Sequence, residues 1–216
     1  MRLIFVRHGE SAANAAGVFQ GWRDVPLNAR GERQAAAAAR ALAARRDIRP
    51  VALYASPLQR AWRTGEIVAT ALGLDPVAHP GLREIDVGAA AGLHRDEVDR
   101  RWPDRLARQR ALGLDHGWPG GETGRAFHAR VTAALDEIVA RHAGARADDA
   151  VVVATHGGTI RFALAALRGD APAGWPDGRV DNCSLSEVLL AADGGAHRVM
   201  CVNACAHLAG VERKYE

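Results

Sequence analysis

Short apolar runs alternate with longer alanine-rich or amphipathic stretches along most of the chain. Leu3-Ile4-Phe5-Val6 has the length and composition of a buried strand, bounded by Arg2 and Arg7. Residues 30–46 contain the run Ala35–Ala39 and predict a helix, since alanine has the highest helix propensity. Val51–Ala55 is a second strand-like run. Ser56-Pro57 then places a capping residue before a proline, which predicts a helix from Pro57 to about Leu72, stopped by Gly73. Residues 77–92 read as extended and loop-like. Residues 94–116 are charged and broken at Trp102-Pro103 and Trp118-Pro119, and predict an insertion of short helices at about 94–118. Glu122–His142 reads as a long helix, Ala150–Thr155 as a buried strand, and Gly157 to about Leu167 as a helix. Ser184–Ala191 and Arg198–Asn203 read as two more strands, joined by a turn at Asp193-Gly194-Gly195.

Strands alternating with helices predict an α/β fold: a three-layer α/β/α sandwich whose mostly parallel sheet has an antiparallel edge strand. No internal repeat or low-complexity linker divides the chain, so residues 1–216 are expected to form one domain. At 216 residues and 48% hydrophobic composition, the chain can bury a sizeable core. No run approaches the apolar length of a membrane span, and no signal-peptide pattern opens the sequence, so a cytoplasmic, membrane-free protein is expected. The net charge of +3 is carried almost wholly by scattered arginines, and aromatics are only 5%, which argues against a nucleic-acid partner. A mildly basic balance suits a small anionic substrate. Cys183, Cys201 and Cys205 are odd in number and lack zinc-site spacing, so they read as buried thiols outside any disulfide or metal site.

Polar chemistry gathers where strands end and helices begin. Arg7-His8 follows the first strand, Arg60 falls in the first turn of the helix after Ser56-Pro57, and His156 follows the strand ending at Thr155. Glu84 lies in Leu82-Arg83-Glu84-Ile85-Asp86. In an open α/β sheet these positions converge on one rim. Two arginines can clamp phosphoryl oxygens, an imidazole can attack phosphorus, and a carboxyl group can protonate the leaving oxygen. For that last task Glu84 has to hold a proton at neutral pH, which a neighbouring substrate dianion favours. A protonated His156 and the amides of Gly157-Gly158 add positive charge for the phosphoryl group. Glu122 ranks second as proton donor, and Asp86 reads as a loop-shaping residue. His79, His94, His116, His128, His142 and His197 read as structural hydrogen bonders. Trp22, Trp62 and Trp102 read as packing residues, with Trp22 alternatively at the substrate mouth.

The chain resembles the histidine phosphatase (phosphoglycerate mutase-like) superfamily. The resemblance rests on Arg7-His8-Gly9-Glu10-Ser11 with Asn14, Gln20-Gly21-Trp22, Asp24-Val25-Pro26-Leu27, and Gly31 with Gln34-Ala35. It continues through Ser56-Pro57-Leu58-Gln59-Arg60-Ala61 with Thr64, Leu82-Arg83-Glu84 with Gly88 and Gly92-Leu93, Pro119-Gly120-Gly121-Glu122, and His156-Gly157-Gly158 with Ile160-Arg161. It implies a phosphoglycerate mutase-like fold, His8 as phosphoacceptor, Glu84 as proton donor, and Arg7, Arg60 and His156 as the phosphate pocket. Asn14, Gln20, Gly21 and Gly157 match its phosphate-contacting positions, and no metal or cofactor is implied. The expected activity is metal-independent hydrolysis of a small phosphate ester through a phosphohistidine. The alternatives are a cofactor-dependent phosphoglycerate mutase and, in another class, a non-catalytic phospho-ligand binder. Gly88-Ala89-Ala90-Ala91-Gly92 lacks the acidic and aromatic residues such phosphatases often carry there, which leaves the alcohol half of the substrate open. Oligomeric state is open too, a homodimer included.

Overall fold

The apolar runs become the inner strands of a six-stranded sheet with the order β3-β2-β4-β1-β5-β6. The structure is a computed structural model describing residues 1–169, 174–191 and 195–211. The strands are β1 (Arg2–Arg7), β2 (Arg49–Ala55), β3 (Pro76–Ala78), β4 (Asp149–Thr155), β5 (Leu185–Leu189) and β6 (Arg198–Ala204). β1, β2, β3 and β4 are mutually parallel; β5 runs antiparallel to β1, and β6 antiparallel to β5. The antiparallel pair thus forms one edge of the sheet. Part of the turn expected at Asp193-Gly194-Gly195 lies outside the described residues.

Side-chain alternation along the central strands feeds two cores. Leu3, Phe5, Val151 and Val153 face one apolar cluster, while Ile4, Val6, Val152 and Ala154 face the other. Helices α2 (Ala29–Ala43) and α3 (Gln59–Leu72) cover the second face. The buried Ala35, Ala38 and Ala39 of α2 add little side-chain bulk to the layer between helix and sheet. Helices α6 (Gly124–Arg141) and α7 (Gly157–Leu167) cover the first face through Phe127, Val131, Ile138, Ile160 and Phe162. This is the three-layer sandwich read from the sequence. A one-turn helix, α1 (Ala12–Ala15), follows β1, with Ser11 and Asn14 forming a capping box. The expected insertion contains α4 (Arg95–Arg101), α5 (Arg105–Leu112) and a 3₁₀ turn at Gly113–Asp115.

Two local expectations change. The stretch 77–92 contributes the short edge strand β3, followed by 3₁₀ turns at Pro80–Leu82 and Gly88–Ala90. Helix α3 begins at Gln59 rather than Pro57, with Leu58 at the N-cap and no side-chain cap. Ser56 is used elsewhere. Among the described residues no helix is long and apolar enough to cross a membrane.

Candidate active site

Parallel pairing brings the ends of β1, β2 and β4 to one rim. Arg7 pairs with Thr155 and Ala55 with Ala154, so His8, Ser56 and His156 leave the sheet side by side. The amide of His8 donates to Thr155 O at 2.8 Å, and that of Ser56 to Ala154 O at 3.0 Å. The turn after His8 lies flat against α2. A Cβ on Gly9 would collide with the backbone of Gly31, and one on Gly31 with the backbone of Glu10, so two glycines permit the approach.

His8 is buried, and its Nδ1 lies 2.7 Å from Gly9 O. A carbonyl only accepts, so Nδ1 carries the proton. Burial, and then Arg60 and Arg7, push the His8 pKa well below the ordinary imidazole value. A neutral ring with Nδ1 protonated has its lone pair on Nε2, the form required of a nucleophile. The ring of His156 stands edge-on to it, with centroids 5.1 Å apart.

His156 is fully buried, and its Nε2 lies 2.8 Å from Ser56 Oγ. Ser56 Oγ also accepts the Leu58 amide at 3.4 Å, so its own hydrogen is available to Nε2. Nδ1 of His156 is buried without a hydrogen-bond partner among the described residues. Burial lowers the pKa of His156 strongly, with Arg60, His8, Arg7 and Arg130 adding to the shift. Burial and these neighbours thus disfavour the protonated His156 considered from the sequence. An arriving phosphoryl dianion supplies the charge that would favour it.

These two rings make a stability prediction. Their folded pKa values lie below the unfolded value, so below about pH 6.5 the unfolded chain binds protons that the folded chain refuses. Stability is then lost as pH falls, with a slope approaching about 1.4 kcal/mol per pH unit per histidine. Ligand-free protein should show a falling melting temperature from about pH 7 to about pH 5, and His156→Gln should flatten the fall. A flat wild-type profile over that range would contradict neutral burial of the rings.

Arg60 is only 1% exposed and sits in the first turn of α3, where the helix dipole opposes a cation. Its guanidinium donates to Gly21 O at 2.8 Å and Arg23 O at 3.0 Å, but Nε has no hydrogen-bond partner among the described residues. Burial, opposed by Glu84 and Asp24, brings its pKa down to about 10. No carboxylate pairs with it among the described residues. A buried, unpaired guanidinium costs on the order of several kcal/mol, which a bound anion offsets. Arg7 donates to Val180 O at 2.6 Å. Asn182 Nδ2 donates to His8 O at 2.9 Å, and Ser11 Oγ to Gln20 Oε1 at 2.9 Å.

Glu84 faces the histidines from the 3₁₀-rich loop. Its Oε2 accepts the Gly158 amide at 3.2 Å and its Oε1 the Ile85 amide at 3.1 Å. A Cβ at position 158 would meet Glu84 Oε1, so any side chain there would push the Glu84 carboxylate aside. The loop is clamped from behind by Arg130 of α6, a residue the sequence reading missed. Arg130 donates to Gly81 O, Arg83 O and Glu84 O at 2.9, 3.0 and 3.2 Å, and holds Glu122 through two bonds of 2.9 and 2.7 Å. Glu122, the second candidate acid, is thus tied to Arg130 and to the Asp86 amide. Asp86 Oδ1 accepts the Gly88 amide, shaping the loop as expected. Trp22 Nε1 donates to Glu84 O at 2.6 Å.

One cavity of about 570 Å³ is lined by Arg7, His8, Asn14, Gln20, Gly21, Arg60, Glu84 and Gly157. The second catalytic histidine of the sequence reading, His156, lies beneath it against His8. The cavity continues outward past Arg95, Arg105, His116, Trp118, Arg161 and Trp175. His116 was expected to be structural, yet it borders this cavity and makes no side-chain hydrogen bond among the described residues. His79, His94, His142 and His197 do act as structural hydrogen bonders. Trp62 donates to Glu66 and Trp102 packs on the core. Among the described residues no group of three or more His, Cys, Asp or Glu is arranged to hold a metal. His207 instead donates to Cys183 O at 2.9 Å. Cys183 is buried, whereas Cys201 and Cys205 are only partly so.

The sequence profile described as the histidine phosphatase superfamily (branch 1) matches residues 3–203. A 2,3-bisphosphoglycerate-dependent phosphoglycerate mutase from Methylobacterium radiotolerans is 35% identical, over 81% of this chain and 82% of the relative. Phosphoserine phosphatase 1 from Hydrogenobacter thermophilus is 33% identical, over 88% of this chain and 87% of its own. Among solved structures, a mycobacterial glucosyl-3-phosphoglycerate phosphatase in complex with VO3 superposes with a TM-score of 0.85 at 31% identity, covering 94% of this chain and 99% of that one.

Proposed function

Because this chain belongs to the histidine phosphatase superfamily, we propose that it is a metal-independent phosphomonoesterase in which His8 carries the phosphoryl group of a small phosphorylated metabolite. One observation carries the assignment of roles: His8, its Nδ1 donating to Gly9 O and its protonation disfavoured by burial, stands beside a buried Arg60 guanidinium that makes no salt bridge among the described residues.

In the first half-reaction the Nε2 lone pair of His8 attacks phosphorus in line, and the ester P–O bond breaks. Arg7, Arg60 and the amide of Gly157 hold the equatorial oxygens, with Asn14, Gln20 and Gly21 completing the pocket wall. Glu84 gives its proton to the departing alkoxide. In the second half-reaction Glu84 takes a proton from water, the oxygen attacks the phosphohistidine, and the N–P bond breaks. Inorganic phosphate leaves, and His8 and the protonated Glu84 are restored. His156, fixed by Ser56, stabilises the transferring group.

The mutase reading draws on the Methylobacterium relative and on the arginines beyond Glu84. Phosphate release from a panel of phosphate esters, with chelator present, tests the choice. Release that persists in chelator is expected. Isomerisation dependent on added bisphosphoglycerate, with negligible phosphate release, would select the mutase, and a requirement for divalent metal would overturn the histidine route.

A further inference from the structure

Arg60 is fixed at its far end rather than by its own helix. It follows the first residue of α3, whose N-cap, Leu58, offers no side-chain acceptor. The guanidinium is anchored instead on Gly21 O and Arg23 O, two carbonyls of a separate loop, residues 20–24. The aim of the buried cation therefore depends on how firmly that loop is held.

The loop is tied down on several sides. Towards the turn after β1, Gln20 Oε1 accepts the Ser11 hydroxyl at 2.9 Å. Towards the acid, Trp22 Nε1 donates to Glu84 O at 2.6 Å, and Gly21 packs so closely on Val87 that a Cβ there would collide with it. Towards α3 the tie is Asp24. Its Oδ1 accepts the Gln59 backbone amide at 2.6 Å, and its Oδ2 accepts the Gln59 side-chain amide at 3.0 Å. Gln59 is the first residue of α3, so the exposed Asp24 carboxylate supplies the missing cap from 35 positions upstream. A carboxylate there also meets the positive end of the helix dipole.

Among the described residues, the other side-chain hydrogen bonds between this loop and α3 are those of Arg60 itself. Without Asp24, Arg60 would have to hold the loop that should hold Arg60. Asp24 does not line the cavity, so it reaches a ligand only through this geometry.

We propose that Asp24 is a positioning residue for Arg60: by clamping the 20–24 loop to the first residue of α3, it fixes the two carbonyls that aim the buried guanidinium at the phosphoryl group. The inference rests on the phosphate-holding role given to Arg60 in the phosphomonoesterase reading, and adds to that role the residue that sets it up.

The experiment measures the Kd of orthophosphate by titration calorimetry, which requires no turnover. Asp24→Ala should raise Kd by about tenfold, the scale of one lost helix cap. Asp24→Asn should stay within about twofold of the wild type, since asparagine can accept the Gln59 amide and donate to a turned Gln59 side chain. Gln59→Pro attacks the clamp from the other side. Proline suits the first helical position, and Leu58 already has the extended backbone (φ −68°, ψ 129°) that precedes a proline, so both donors are lost while the helix is kept. Gln59→Pro should match Asp24→Ala, and combining the two should weaken binding no further. Lysine at position 60 keeps the charge but cannot span both carbonyls, so in an Arg60→Lys background Asp24→Ala should raise Kd by less than about twofold.

A lowered melting temperature with an unchanged Kd in Asp24→Ala overturns the inference, because the cap would then serve stability alone. A rise in Kd that persists in full in the Arg60→Lys background overturns it too, as does an Asp24→Asn protein as weak as Asp24→Ala. If the wild type binds no orthophosphate, the phosphate-holding role of Arg60 fails first and the inference falls with it. Circular dichroism checks the fold of each variant, and Gln59→Pro supplies the test should Asp24→Ala not fold.

Discussion

His8→Ala should abolish phosphate release, with a loss on the order of 10⁴-fold or more, because it removes the atom that forms the covalent bond. The remaining groups still bind the phosphoryl oxygens, so affinity for orthophosphate should fall far less than turnover. The fold should survive. His8 lies at the end of β1, its backbone amide bonded to Thr155 O whatever the side chain, and the strand behind it is buried on both faces. Quenching the wild type mixed with substrate in alkaline denaturant should trap an acid-labile, base-stable phosphoryl adduct that His8→Ala lacks. Parent-like turnover in the variant would remove the proposed mechanism and leave either a different nucleophile or a different site.

The second large effect is expected at Arg130, which touches no substrate. Its guanidinium bonds three carbonyls of the 81–84 segment and both oxygens of Glu122, which in turn holds the Asp86 amide. Glu84 is therefore aimed by a side chain on a helix at the far side of its loop. Arg130→Met should lower turnover of alkyl phosphates by about a hundredfold or more, the scale of one general acid. A structural defect alone would affect all substrates alike. A positioning defect would not: an alkoxide needs a proton to leave, while p-nitrophenolate does not. Phosphoenzyme formation from p-nitrophenyl phosphate should thus be far less impaired, and Glu84→Gln should show the same leaving-group pattern. Arg130→Lys should recover little, since an ammonium cannot reproduce the fork that spans the loop and Glu122. Equal losses for both leaving groups would reduce Arg130 to a packing role.

These cases show where sequence is informative. His8 and His156 were legible because each follows an apolar run that can only be a central strand, and parallel pairing then fixes where the runs end together. Helix α7 was legible over its full Gly157–Leu167 span for the same reason. Ser56-Pro57 misled by two residues. Local capping chemistry predicts a helix there, but the Ser56 hydroxyl is taken by His156, a hundred positions away, and the helix begins at Gln59. Arg130 gave no local signal because three of its partners are backbone carbonyls, which any residue type supplies, and the carboxylate it holds, Glu122, lies before the start of its helix. His116 read as an ordinary histidine because the arginines and tryptophans around it come from separate short helices and loops. The phosphoryl end is written in contiguous motifs. The outer end is assembled from scattered positions, so its chemistry emerges only from the fold.

The burial of Arg60 has a consequence for the catalytic cycle. A buried guanidinium that lines the cavity, anchored by two carbonyls and with no carboxylate in salt-bridge contact among the described residues, attracts any tetrahedral dianion. It does not distinguish the ester from the orthophosphate left at the end. The protein that captures its substrate this way must also pay out its product slowly. Orthophosphate should therefore act as a competitive inhibitor, and the rate of phosphate departure sets a ceiling on turnover that no improvement of His8 or Glu84 could lift.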